Sequence, residues 1–426
     1  MAHHTLKSSY QELADRLNRF PQGAPPSELL FKILKILFNE KEAHLVAQVP
    51  IKPFDAETVS RIWKMDLTTT RKILEELAGR AILVDIEHNG ESQYVLPPPM
   101  AGFFEFSMMR IRGDIDQKVL SELFYQYLNV EEDFIKALFC NGETQLGRTF
   151  VHEPVLSNEN ALQVLDYERA SEVIRTSKHM GVGICYCRHK MEHLGKACDA
   201  PMDICMTFNT TAASLIKHGF ARRVDVQEGL DLLQSAYDHD LVQFGENVRN
   251  RVNFICNCCG CCCEAMLAQK RFGLLHPVHT TNFIPEINRA ECNGCGRCVT
   301  ICPVEAMTLV SANDPKMPKR KVAKLDESMC LGCGLCVKAC PKDGVTLRSR
   351  PERVITPLDG THKAVVMAIE RGKLQHLLFD NRALYSHRAL AAVFGVILKL
   401  PPIKQVLASR QMKSRYLEYL IGHYKN

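Results

Sequence analysis

Two cysteine runs with a fixed rhythm constrain this chain more than any other feature. Cys292-Asn-Gly-Cys295-Gly-Arg-Cys298-Val-Thr-Ile-Cys302-Pro303 is followed by Cys330-Leu-Gly-Cys333-Gly-Leu-Cys336-Val-Lys-Ala-Cys340-Pro341. Each is a C-x2-C-x2-C-x3-C-P run, the spacing with which a tight loop aims three thiolates at one face of an iron–sulfur cube. Glycines at every x2 step let the backbone come close to inorganic sulfide. Zinc is the competing ligand chemistry. It needs only four ligands in paired C-x2-C arms, so it leaves the third cysteine, the x3 step and the repeated proline unexplained.

These runs resemble the bacterial-type 2[4Fe-4S] ferredoxin domain over about residues 287–347. The resemblance implies crossed ligation, the fourth cysteine of each run serving the other run's cluster. One [4Fe-4S] cluster then takes Cys292, Cys295, Cys298 and Cys340, and the second takes Cys330, Cys333, Cys336 and Cys302. Paired strands are expected at Ala306 to Val310 and Lys321 to Leu325, with a basic hairpin insertion from Asn313 to Arg320 between them. Residues 286–349 hold 10 Lys+Arg and 7 Asp+Glu, so that basic loop reads either as a docking face for an acidic redox partner or as a solvated hairpin tip.

The chain has 19 cysteines, and ten of the others fall in two further stretches. Cys185, Cys187, Cys198 and Cys205 are four thiols within 21 residues, following an expected helix from Tyr167 to Lys178. They suit one metal centre, a [4Fe-4S] cluster ahead of zinc, with Arg188 able to give charge-assisted hydrogen bonds to a sulfide or a carboxylate. His179, His189 and His193 flank the site and read as packing or solvated residues. After an expected helix from Val226 to Asp240 come Cys256, Cys258, Cys259, Cys261, Cys262 and Cys263, six thiols in eight residues with no packing explanation. Neighbouring side chains diverge along an extended chain, so these six cannot all face one cube. The ten thiols match two four-ligand sites with two left over, giving one or two further iron–sulfur clusters beyond the ferredoxin pair. Cys140 stands alone and reads as a small apolar residue. Together these motifs resemble a family of winged-helix-containing [4Fe-4S] proteins of anaerobic bacteria, from about Leu29 to the C-terminal helices. That resemblance implies electron transfer without assigning a substrate.

The winged helix is expected at the N-terminus. Ser27 can cap a helix carrying Leu29, Leu30, Ile33, Leu34 and Leu37; Leu45, Val46 and Val49 suggest a second, and Asp55 caps a third through Val59, Ile62 and Trp63. Thr68 to Gly79 takes the recognition-helix position. Ala81 to His88 and Glu91 to Leu96 alternate as strands about the Asn89-Gly90 turn. Residues 1–100 hold 12 Lys+Arg against 13 Asp+Glu. Duplex affinity comes chiefly from phosphate neutralisation, so this balance favours a protein-contact module over a DNA reader.

Residues 103–151 carry Leu120, Leu123, Phe124, Tyr127 and Leu128 at helical spacing. The tail from Arg350 holds 13 Lys+Arg and 5 Asp+Glu. Its apolar run, Ala389 to Leu400, is about half the ~20 residues a spanning helix needs and reads as a core or partner-facing helix ahead of peripheral membrane contact. The expected organisation is α+β: a mainly helical multidomain chain with a winged-helix-like domain at 1–105, a helical cysteine-rich domain at 106–285, the ferredoxin domain at 286–349 and a basic helical tail at 350–426. An oxidised cluster on four thiolates contributes −2, so two clusters take the formal +5 to +1 and four take it to −3. No GxGxxG motif sits in a strand–helix context, so electrons must arrive from another protein or an unbound cofactor. The expected function is cytoplasmic electron transfer between redox partner proteins. A reductase with its centre near Cys256 to Cys263 and a redox-responsive DNA-binding regulator are the alternatives.

Overall fold

A computed structural model describes residues 7–88, 90–380 and 385–398. The chain divides into two compact units, each discontinuous in sequence. One comprises residues 1–144, 210–222 and 359–426, and the other residues 145–209 and 223–358.

The first unit begins with α1 (Ser9–Arg19), α2 (Glu28–Leu37) and α3 (Glu40–Val46), capped by Ser8, Ser27 and Asn39. Each cap's side-chain oxygen satisfies an otherwise orphaned N–H of the first turn. α2 buries Leu30, Ile33, Leu34 and Leu37, the one-face pattern read from sequence. Strand β1 (Phe54–Asp55) leads into α4 (Ala56–Trp63), which ends on a left-handed Lys64; α5 (Leu67–Gly79) follows with Asp66 as its cap. Strands β2 (Val84–His88) and β3 (Glu91–Val95) then pair antiparallel, and β1 adds to the far side of β3. Asn89 of the expected turn lies outside the described residues, as do Leu400, Pro401 and Pro402. Farther along, Phe104 packs its ring against those of Phe103, Phe124 and Phe134. The segment that returns at residue 210 carries most of the helix Asn209–Lys217. There the Asp85 carboxylate accepts from Ser214 Oγ (2.6 Å) and Lys217 Nζ (2.6 Å).

In the second unit, strands β4 (Gly147–Thr149), β5 (Met180–Gly183), β6 (Cys205–Phe208), β7 (Arg222–Arg223), β8 (Val242–Glu246) and β9 (Phe254–Cys258) form one sheet in the order β4-β8-β9-β6-β5-β7. Its core gathers Phe150, Ile174, Val182, Met206, Phe208 and Ile255. The helix expected from Tyr167 is shorter. Residues Asp166–Glu168 form a 3-10 turn, Arg169 is extended, and the α-helix runs over Ala170–Thr176. Glu168 bonds back to the Leu165 N–H at 2.9 Å, which closes that turn locally instead of letting it propagate. Farther on, β10 (Phe283–Ile287) pairs with β13 (Val345–Ser349), and β11 (Met307–Ser311) with β12 (Lys321–Leu325). Among the described residues no helix is long and apolar enough to cross a membrane.

Candidate metal centre

Both motif runs at 292–341 fold the same way locally. Gly296 and Gly334 are left-handed and open the short helices Arg297–Ile301 and Leu335–Lys338. The first two cysteines of each run therefore lie on a loop, the third in the helix and the fourth just past it. One cavity is lined by Cys292, Cys295, Cys298 and Cys340, with Leu309 and Val345 in its apolar wall. Cys302 is grouped instead with Cys330, Cys333 and Cys336. Burial pushes the Cys330 thiol up to about 11 and Cys333 up to about 12, and the Cys302 charge adds to both. Backbone N–H groups donate to sulfur from Ala323 to Cys292 (3.4 Å), Ala306 to Cys302 (3.2 Å) and Gly332 to Cys330 (3.4 Å). Donors of this kind stabilise a thiolate and raise the potential of whatever cluster it holds.

The ten remaining thiols of this unit fall into two groups. On β9, Cys256 and Cys258 share a face because strand side chains alternate. The β6–β9 register, Met206 opposite Ile255, carries Cys205 to the position opposite Cys256. Cys185 precedes the helix Tyr186–His193, Cys187 lies in its first turn, and Cys263 precedes the helix Glu264–Phe272. Their sulfurs form a closed circuit. Cys185 neighbours Cys187 and Cys205, Cys256 neighbours Cys205 and Cys258, and Cys263 neighbours Cys187 and Cys258; Cys258 and Cys263 share an S···S hydrogen bond of 3.1 Å. Ionisation alternates around it. Hydrogen bonds from two flanking thiols pull Cys256 and Cys263 down to about 5 and Cys185 well below the usual thiol range. The three donors between them, Cys187, Cys205 and Cys258, are pushed well above it.

The other four, Cys198, Cys259, Cys261 and Cys262, have all their sulfurs within 4.8 Å of one another. Donation from Cys262 brings Cys259 down to about 4, while burial and the Cys259 charge push Cys261 up to about 12.

Arg188 stands between the two groups with 1% of its surface exposed. It donates to the carbonyls of Pro201 (2.8 Å) and Asn257 (2.7 Å), while its Nε has no protein acceptor. Burial works against its charge, but the Cys185 thiolate on one side and Cys259 on the other outweigh burial and hold it cationic. A buried ion pair between Lys190 and Glu264 ties the helix bearing Cys187 to the helix that follows Cys263. Sequence reasoning named Arg188 but missed this pair, whose members are 74 residues apart. His189 and His193 lie ring to ring at 4.8 Å. Cys140 ends the helix Asp133–Phe139 in the first unit, half-buried.

The cysteine-rich loop adjoins the ferredoxin motif. A Cβ added to Gly260 would lie 2.5 Å from the Pro303 carbonyl oxygen and 2.9 Å from its Cα, so only glycine fits where this loop meets the turn after Cys302. Lys270 pairs with Glu305 at 2.9 Å, and Gln269 donates to the Met329 carbonyl at 3.1 Å.

Residues 291–343 match the 4Fe-4S dicluster domain family. The chain therefore carries an iron–sulfur dicluster domain in its C-terminal half. No curated protein matches the chain.

Proposed function

We propose that this protein is a multi-cluster iron–sulfur carrier that passes low-potential electrons between redox partners. In this reading Cys292, Cys295, Cys298 and Cys340 hold one [4Fe-4S] cluster and Cys330, Cys333, Cys336 and Cys302 the second. The cavity that gathers Cys340 with the first run supports the crossed ligation. Cys198, Cys259, Cys261 and Cys262 hold a further cluster, supported by their mutual approach. The clusters supply one-electron storage; the polypeptide positions them, excludes water and tunes them through N–H···S donors and Arg188.

One observation carries the relay, the packing of Gly260 against Pro303. It leaves no side chain between the cysteine-rich loop and the turn that follows a ferredoxin ligand. Lys316, Lys319 and Lys321 are exposed around the Asn313 to Arg320 loop, a face suited to an acidic partner. Arg320 of that loop is not spare, since it donates to the carbonyls of Arg289 and Cys292.

The N-terminal helices and hairpin serve, in the same reading, as a winged-helix protein-contact module. Arg80, the cation expected beside the wing, is paired with Glu42 at 2.7 Å. On α5, Arg71 and Lys72 are matched by Glu75 and Glu76. α5 thus offers phosphates no net positive charge.

Anaerobic purification of the full chain tests the proposal by iron and sulfide quantitation and by EPR of the reduced protein. Iron well above the roughly eight atoms of two cubanes, with spin coupling between the ferredoxin clusters and a further centre, is expected. Iron that stops at the two cubanes reduces the protein to a ferredoxin with a cysteine-rich appendage.

A further inference from the structure

The helix Tyr385–Leu398 of the first unit is apolar on two faces, and only one of them is packed. From Ala389 to Leu398 it reads Ala-Leu-Ala-Ala-Val-Phe-Gly-Val-Ile-Leu, ten residues without a hydrogen-bonding side chain. On the packed face Ala391 is buried, and the Phe394 and His387 rings meet Phe379 edge-on at 6.1 and 5.9 Å. A Cβ added to Gly395 on the same face would lie 3.5 Å from the Gln375 side chain. The opposite face is open. Leu390, Val393 and Val396 are 49%, 59% and 66% exposed, and Ala389 and Ala392 are exposed beside them. A helix that is hydrophobic all round is ordinarily buried all round. The core expectation for this run therefore holds for one face only.

The chemistry of the cover follows from the segment itself. The open face offers no donor or acceptor with which to select a protein partner, whereas a hydrocarbon surface requires none. Charge points the same way. Residues 385–426 hold 7 Lys+Arg and a single acid, Glu418, and each cation close to an anionic lipid surface strengthens binding by about fivefold. Tyr416, Tyr419 and Tyr424 in that stretch are amphipathic rings of the kind that settle at headgroup level. Length decides the orientation. The helix has 14 residues, about 21 Å at ~1.5 Å per residue, short of the ~30 Å hydrocarbon core, so it lies along a bilayer instead of crossing it.

We propose that the open face of the helix Tyr385–Leu398 docks on an anionic lipid bilayer. Leu390, Val393 and Val396 enter the boundary between headgroups and acyl chains, and the cations of residues 385–426 pair with lipid phosphates. The docking surface stands apart from the cysteine sites and does not draw on the electron-carrier reading.

Flotation of the anaerobically purified full-length protein with lipid vesicles tests this. The wild type is expected to bind phosphatidylcholine vesicles containing about one-third phosphatidylglycerol at least about tenfold more tightly than pure phosphatidylcholine. Binding falls as salt rises from about 0.1 M to about 0.5 M. Val393→Asn/Val396→Asn changes only exposed positions and adds no charge; it lowers binding to the anionic vesicles by about tenfold or more, with iron content unchanged as evidence of folding. Absence of flotation, equal binding to neutral vesicles, or a variant that floats as the wild type does overturns the proposal. Sedimentation velocity supplies the remaining arm. A wild type that dimerises while the variant stays monomeric, with neither bound to vesicles, assigns the open face to a second copy of the chain and overturns lipid docking.

Discussion

Arg188 is a single cation placed against both thiol groups, and its removal has a definite sign. Reducing a cluster adds negative charge, which a nearby guanidinium favours, so Arg188→Gln lowers the potential of the adjoining centres. A shift near 60 mV corresponds to about tenfold in a one-electron equilibrium. Potentiometric EPR titration measures it, and Arg188→Lys restores most of the value if charge is the cause; an unchanged potential removes Arg188 from the electrostatics of the site. Cys302 offers a sharper test, because its two candidate clusters lie on different motif runs. Cys302→Ala damages the centre of Cys330, Cys333 and Cys336 and spares that of Cys292, Cys295, Cys298 and Cys340. EPR of the reduced variant showing the reverse would end the crossed assignment. Residue types and spacing made these cysteines legible in the sequence. The six-and-four division was not, because it depends on Cys205 meeting Cys256 across strands 51 residues apart in sequence, and divergence of neighbouring side chains says only that the run must split, not where.

Elements obeyed local rules wherever a cap or a turn residue was present. Ser27, Asp55 and Asp66 begin helices as side-chain acceptors do, and β11 and β12 fall within a residue of their expected bounds. The Tyr167 helix failed because a side chain, Glu168, competed for the backbone. Asp85 shows what strand alternation could not reveal. Burial raises its pKa, but hydrogen bonds from Lys217 and Ser214, aided by the charge of His218, outweigh burial and hold it below the usual carboxylate value. Its contribution to stability is thus full above the unfolded carboxylate pKa of about 3.9 and is lost as pH falls through the lower folded value. Asp85→Asn destabilises the first unit by about 2 kcal/mol at neutral pH, below the cost of breaking a fully buried pair because Lys217 is half-exposed. Urea melts followed through Trp63, the single tryptophan, report that loss, which must vanish at the lowest pH. At the loop junction, Gly260→Ala forces the backbone off Pro303 at about 1–3 kcal/mol, the usual cost of overpacking. Iron content is expected to hold while electron redistribution after flash reduction slows; an unchanged rate would remove this junction from the route.

At the scale of the molecule, the charge balance decides what the N-terminal module can bind. Specific DNA readers draw much of their affinity from phosphates and weaken steeply with salt. The anaerobic holoprotein is therefore expected to show no sequence-specific duplex binding at about 150 mM salt, where exposed charges are screened beyond ~8 Å. Fluorescence anisotropy against a random-duplex library checks this, and binding that followed cluster oxidation state would restore the regulator reading. The spacing of the two cysteine runs carried the iron–sulfur class, whereas the division into two discontinuous units was hidden, since it turns on residues 210–222 leaving one unit for the other.

That excursion also governs how the protein can be made. Between Cys205 and Cys256, two neighbours in the six-thiol group, the ribosome must lay down a helix that belongs elsewhere, and the other unit still lacks its final segment from residue 359 when the last cysteine, Cys340, has emerged. Every thiol is thus synthesised before either the chain or its first unit is complete. The nascent polypeptide passes through a stage rich in reactive sulfur and poor in finished structure, and neither unit can be gained, lost or exchanged as one continuous stretch of gene.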